Sequence, residues 1–325
     1  MSEKKHYWVG FDLGGTKMLA VVYDAKFCKV GSKRVKTKGN EGMEAGLERM
    51  TQAIAGALDE AGVARKDLGG IGAGCPGPLE LDKGVILHAP NLGWDNVPVK
   101  KTLEKAFGCP AVIANDVDAG TYGEYRFGAG KGARCVLGVF PGTGLGGACI
   151  YEGKIFRGRT GSCMEIGHFP VDPLGPVAAP GQWGSLESMT SRLAIAAQAA
   201  QAVYRGQAPA LQALGGTSID KIKSGALAKS IAAGDQVVEE IVRHAARILG
   251  TTVAGVVNLL APDVLVLGGG LVEALSDIYV DEVRKTIKRK ALKAYADALT
   301  IAPAELGDDA GVMGAAALAA DAASK

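Results

Sequence analysis

The chain has 325 residues, 48% hydrophobic and 22% charged. At about 150 residues per domain this predicts two globular domains and excludes a disordered chain. The net charge is only +2 and is spread along the chain, which argues against nucleic acid as a partner and for small soluble ones. The longest apolar stretch, Ile248 to Ala261, covers 14 residues and includes Thr251, Thr252 and Asn258. It falls short of the ~18 to 20 residues that cross a bilayer, so it is expected to be a buried helix. The start, MSEKKHYWVG, lacks the apolar core and cleavage site of a secretory leader, so a cytoplasmic protein is expected. Cys28, Cys75, Cys109, Cys135, Cys149 and Cys163 form no C-x-x-C pair and read as reduced, mostly buried thiols.

In chain order, residues 7–11 and 18–22 are strand-like runs separated by DLGGTK, with a third strand near Val30 to Thr37. Apolar residues then recur at Met43, Leu47, Met50, Ile54, Leu58 and Ala61, the spacing of an amphipathic helix that ends at Gly62. Strands are predicted over 70–74 and 111–114, flanking a helix over 99–107 that is entered through Pro98. A second round opens at Arg134 with CVLGVF, the loop PGTGLGG and the strand ACIY, which sets Gly142 against Gly14 at an offset of 128 residues. That offset hints at an internal duplication. Helices are expected over 186–203, 236–260 and 277–292, strands at DVLVLGGG and near 299–302, and an alanine-rich helix from Gly311. Two α/β lobes around a cleft follow from this order.

Glycine numbers 47, about twice the ~7% average, and its excess lies in loops. G-x-G-x-x-G occurs at Gly72, Gly74 and Gly77 and at Gly142, Gly144 and Gly147. A dinucleotide fingerprint needs a helix to open at the third glycine, whereas Pro78 follows the first match and a strand follows the second. The P-loop pattern, H-E-x-x-H and G-x-S-x-G are all absent. A glycine and threonine turn between strands can serve as a tight hairpin, or its successive N–H groups can hold an anion. Two such turns, with Asp12 and Lys17 beside the first, favour phosphate.

FDLGGTK (Phe11 to Lys17), PGTGLGG (Pro141 to Gly147) and VLGGG (Val266 to Gly270) resemble the first phosphate loop, second phosphate loop and adenosine-side turn of the ROK family of sugar kinases and repressors, within the hexokinase and actin superfamily. PNLGW (Pro90 to Trp94), Asn115-Asp116, EIGH (Glu165 to His168) and SLES (Ser185 to Ser188) resemble its sugar-binding segments. The likeness runs from Trp8 to Ala317 in the family's order.

This resemblance implies an α/β, two-lobed actin-like or ribonuclease-H-like ATPase fold with an internal duplication and an interlobe cleft. The expected small lobe is 1–117 plus 309–325, and the large lobe is 118–308. It implies ATP-dependent phosphorylation of a hexose, glucose first because PNLGW is similar to the glucokinase subgroup. Phosphoryl transfer asks for positioning, charge stabilisation and a base. Asp116 is expected to be that base, its other reading being a helix N-cap. Asp12 is expected to hold Mg²⁺ through water, with Gly14, Gly15, Thr16, Lys17, Gly142, Thr143 and Gly144 on the phosphates and Gly268, Gly269 and Gly270 at the adenosine. Asn91, Asn115, Asp116, Glu165, His168 and Glu187 match the sugar positions and supply donors and acceptors for hydroxyls.

Two departures stand out. Many family members hold a structural zinc with the E-x-G-H histidine and three cysteines, but AAPGQWGSLE has Ala178, Pro180 and Ser185 where the cysteines fall, so no zinc is expected. Packing of Trp183 and Pro180 is the expected substitute anchor. Asp118 stands where the family often has Asn, and a carboxylate close to Asp116 would raise the pKa of the base. Repressors of the family carry a DNA-binding domain ahead of the first phosphate loop, whereas about six residues precede the first strand here. The other readings are a kinase for N-acetylglucosamine, N-acetylmannosamine, mannose or fructose, polyphosphate as donor, and a non-catalytic sugar sensor. A homo-oligomer, a dimer first, is expected from the family.

Overall fold

The computed structural model describes residues 6–159, 161 and 163–324, so residues 1–5, read above for a leader, lie outside it. Two compact units divide the chain: residues 1–132, 153–163 and 308–325 form the first, and 133–152 with 164–307 form the second. Among the described residues no helix is long and apolar enough to cross a membrane.

The first unit is built on β1 (Tyr7–Leu13), β2 (Lys17–Tyr23), β3 (Lys29–Lys36), α1 (Met43–Ala61) and β4 (Leu68–Cys75). A small sheet of β5 (Leu79–Glu80), β6 (Val85–Ala89) and β7 (Trp94–Val97) follows, then α2 (Val99–Phe107), β8 (Ala111–Asn115) and α3 (Asp116–Phe127). The main sheet has the order β3-β2-β1-β4-β8, antiparallel across β1, β2 and β3 and parallel from β1 through β4 to β8. Met50, Ile54 and Leu58 of α1 are buried on one face with Met18, Ala20 and Val22, as their spacing predicts. Each of these side chains except that of Ala20 contributes roughly 1.5–3 kcal/mol by leaving water.

The other face is covered by the C-terminal helix Ala310–Ala323, which packs backbone to backbone. A Cβ at Gly10 would lie 1.8 Å from the Val312 carbonyl oxygen, and one at Gly314 would lie 1.8 Å from that of Ala119 on α3. Because α3 and the C-terminal helix are packed in this way, α3 belongs to the first unit, which continues past residue 117 to Gly132.

The second unit repeats the plan of an antiparallel hairpin extended by parallel strands. β9 (Cys135–Pro141) pairs with β10 (Leu145–Tyr151), and on its other side runs parallel to Val264–Leu267, which in turn pairs parallel with Thr300–Pro303. The long helix Gln236–Leu260 and the helix Gly270–Lys290 pack together over it, with Val242, Leu249, Val253, Tyr279 and Val283 fully buried. The helix expected over 186–203 is two helices, Leu186–Thr190 and Arg192–Tyr204, because Ser191 is extended and its hydroxyl caps Ala194 N–H. The helix expected from Asp277 starts at Gly270 and kinks at Leu275. Pro209–Gly215 and Ser224–Ala232 are helices that periodicity did not reveal.

Gly314→Ala is expected to lower stability by about 3 kcal/mol, because a backbone carbonyl cannot move aside as a side-chain end can. The midpoint of denaturant unfolding checks this, and an unchanged midpoint contradicts the packing.

Candidate active site

The first unit gathers its chemistry at the carboxyl ends of its parallel strands, where open α/β sheets bind ligands. Asp12, next to last in β1, is opposite Gly74 of β4, and Asn115 ends β8 opposite Cys75. The turn between β1 and β2 is fixed by backbone bonds, Gly14 N–H to Lys17 O at 3.0 Å and Thr37 N–H to Thr16 O at 2.9 Å. The Thr37 hydroxyl, fully buried, donates to Gly14 O at 2.6 Å. Thr37 escaped the sequence reading because its partner lies 23 residues away. Gly15, Thr16 and Lys17 are exposed, and an added Cβ at Gly15 would meet Asn91 at 3.9 Å. Asn91 is itself exposed on a loop held down by buried Leu92 and Trp94.

The N-cap of α3 is Asn115, whose Oδ1 accepts from the N–H groups of Val117 at 2.9 Å and Asp118 at 3.3 Å. Capping thus falls to Asn115, and Asp116 is the first helical residue, its Oδ1 accepting from Val117 N–H at 2.9 Å. Asp118 is buried two positions on, and residues i and i+2 project ~200° apart around a helix, so the two side chains leave it in nearly opposite directions.

Asp12 carries the electrostatic tension of this edge. Burial, then the nearby charges of Asp116 and Asp308, push its pKa up to about 6, and Arg34 opposes them. The first turn of the C-terminal helix also closes over it, an added Cβ at Gly311 lying 3.9 Å from the Asp12 carboxyl carbon.

The second unit holds the other expected residues. Its glycine turn Gly142 to Gly144 is shaped by Gly142 N–H donating to Gly144 O at 2.9 Å and by Glu187, whose Oε2 accepts from Leu145 N–H at 2.7 Å. Arg192, which the sequence reading passed over, supports the loop twice: its backbone N–H donates to Gly142 O at 2.9 Å and its guanidinium to Thr143 Oγ1 at 3.1 Å. Glu165 and His168 are exposed around a short 3₁₀ turn whose Gly167 presses on Leu145, an added Cβ falling 2.4 Å from its carbonyl oxygen. Gly268, Gly269 and Gly270 turn beside the end of β9, with Gly268 N–H bonded to Val139 O at 3.1 Å and Gly269 opening the following helix. Within this unit, then, the EIGH turn, Glu187, the loop and the triglycine turn lie around the ends of β9 and β10.

The segment in place of the family's zinc site corrects one expectation. Trp183 is 56% exposed and Pro180 is exposed, so neither is a packing anchor. Backbone bonds hold the segment instead: Val177–Ala179 pairs with Gln182–Trp183, Gly184 O accepts from Val171 and Asp172 N–H, and Gly184 N–H donates to Pro176 O at 2.7 Å. Gly184 has φ +56°, and a Cβ there would fall 1.6 Å from Asp172 O, so only glycine fits. Ser185 caps the helix Leu186–Thr190 through a bond from Ser188 N–H at 3.2 Å. Among the described residues no three His, Cys, Asp or Glu side chains are grouped to hold a metal ion.

Because its pKa is raised on folding, Asp12 binds its proton more tightly in the folded than in the unfolded chain. Stability is therefore highest below about pH 4 with respect to this group and is lost as pH rises toward 6. Asp12→Asn is expected to stabilise the ligand-free protein by roughly 1–3 kcal/mol at pH 7.5 and by nothing near pH 3.5. Urea unfolding of both forms at the two pH values reads this directly, and equal stabilities at pH 7.5 contradict it.

A family model described as the ROK family matches residues 8–322. A glucokinase of Streptomyces coelicolor is 33% identical over 314 residues, covering 96% of each chain. The crystal structure of a ROK family glucokinase from Streptomyces griseus, in complex with glucose and AMPPNP, superposes with a TM-score of 0.83 at 32% identity, over 97% of this chain and 99% of that one. The ROK hexokinase of Thermus thermophilus gives a TM-score of 0.79 at 33% identity, over 95% and 96%. The fold is that of the actin-like ATPases. With a family model matching residues 8–322 and a relative 33% identical over 96% of the chain, the chain belongs to the ROK family.

Proposed function

We propose that this protein transfers the terminal phosphoryl group of ATP to a hexose hydroxyl, and that the hexose is glucose and the product glucose 6-phosphate. The observation that carries the reading is the carboxyl edge of the first unit, where Asp116, Asp12 and the exposed loop Gly14 to Lys17 stand together. The likeness to glucokinases supports glucose, and the AMPPNP held by the Streptomyces griseus enzyme supports ATP.

In this reading Asp116 accepts the proton of the sugar hydroxyl as its oxygen attacks the γ-phosphorus. The new O–P bond forms, the bond from the γ-phosphorus to the β–γ bridging oxygen breaks, and ADP leaves with that electron pair. The bond from Val117 N–H fixes the Asp116 carboxylate for this task. Asn91 and Asn115 are read as sugar contacts; because Asn115 spends Oδ1 on its cap, its amide NH₂ is the group left to donate. Glu165, His168 and Glu187, which match the family's sugar segments, are read as sugar contacts, and Glu187 also accepts from Leu145 N–H. Loop amides of Gly142 to Gly144 receive phosphate, and the triglycine turn Gly268 to Gly270 lies at the adenosine.

Asp12 suits Mg²⁺. It is a half-buried oxygen donor near Asp116 and Asp308, and a divalent cation offsets the desolvation and the repulsion that together raise its pKa. In this reading Asp12 would hold Mg²⁺ through water, with the phosphate oxygens and further waters as its ligands, as Mg²⁺ prefers. When bound, Mg²⁺ neutralises charge on the transferring phosphates.

Asp116→Ala and Asp116→Asn are expected to lower kcat by about 10² to 10⁴ while the circular dichroism spectrum and melting temperature stay near those of the parent. ADP release at saturating glucose measures the effect. Undiminished turnover removes Asp116 from the role of base.

A further inference from the structure

The register of the first sheet sets three side chains in one lateral row. Asp12 on β1 is opposite Leu19 on β2, and Leu19 is opposite Arg34 on β3. Directly opposed residues project to one face of a sheet, so Asp12 and Arg34 flank Leu19, each about 5 Å away along the row. Lys17, two residues from Leu19, projects to the same face. This is the face that the C-terminal helix covers, and Leu19 packs with its Val312.

A cavity of about 210 Å³ opens there, lined by Asp12, Gly14, Thr16, Lys17, Arg34 and Asp308. Its cations are Lys17 and Arg34. Arg34 donates to Asp308 Oδ2 at 3.0 Å, with the two side chains 45% and 74% exposed. An ion pair so exposed contributes little and exchanges readily. The amino end of the 14-residue C-terminal helix, at Asp12, adds positive potential to the same side.

We propose that Arg34 is a phosphate-binding residue, which exchanges Asp308 for the terminal phosphates of Mg-ATP. The inference rests on the kinase reading and adds a residue that no sequence motif marks. A guanidinium presents a planar fork that matches two phosphate oxygens, and a polyphosphate tail carries more charge than a single carboxylate, so the exchange favours the nucleotide. Asp308 keeps the fork above the cavity when no nucleotide is bound. Leu19, between Asp12 and Arg34, leaves space over which a phosphate can lie between the residue that holds the cation and the residue that holds the oxygens.

Equilibrium titration of Arg34→Ala and Arg34→Lys with Mg-ATP, and separately with glucose, tests this. Arg34→Ala is expected to weaken Mg-ATP tenfold or more and to leave the glucose Kd within twofold. Arg34→Lys, which keeps the charge and loses the fork, falls between. A Mg-ATP Kd within twofold of the parent overturns the proposal, as does an equal weakening of glucose, which would mark a general loss of structure. Failure of the parent protein to bind Mg-ATP overturns the kinase reading and this inference with it.

Discussion

Asp12 is a carboxylate placed where water solvates it poorly, and the first unit is arranged around that placement. Burial and two neighbouring aspartates push its pKa up to about 6, which destabilises the ligand-free fold at neutral pH. The backbone-close packing at Gly10 and Gly314 holds the C-terminal helix so that its first turn lies against Asp12 and half-buries it. The parallel pairing of β1, β4 and β8 sets Asp116 near Asp12 at the same edge. In the proposed reading a cation and phosphates at this edge would relieve that cost, so the strain on Asp12 and its proposed role share one cause.

In the second unit single polar groups do the work of a larger frame. Glu187 fixes the exit of the phosphate loop through Leu145 N–H, and Arg192 fixes its body through Gly142 O and Thr143 Oγ1. Acid and base therefore shape one glycine turn from two short helices separated at Ser191. Nearby, the segment from Val171 to Ser185 keeps its path by backbone bonds converging on Gly184 and by the Ser185 cap.

What the sequence makes legible is what depends on neighbours in the chain. The 3.6-residue spacing of Met50, Ile54 and Leu58 marks α1, and the glycines of FDLGGTK and PGTGLGG mark turns whose shape glycine allows. Thr37, Arg192 and Arg34 carry no local signal, because each acquires its role from a partner brought close only by folding. Trp183 misleads for the complementary reason: a large aromatic usually packs inside, but here two residues of hairpin leave it 56% exposed. Asp116 falls between the cases. Its motif suggests a base, while only the observed cap on Asn115 removes the competing capping role from it.

The most direct test of the central claim is ADP release with Mg-ATP across glucose, N-acetylglucosamine, N-acetylmannosamine, mannose and fructose. Turnover that depends on sugar and is greatest with glucose is the predicted result. Binding of glucose without ADP formation, or turnover with another hexose in preference to glucose, contradicts it.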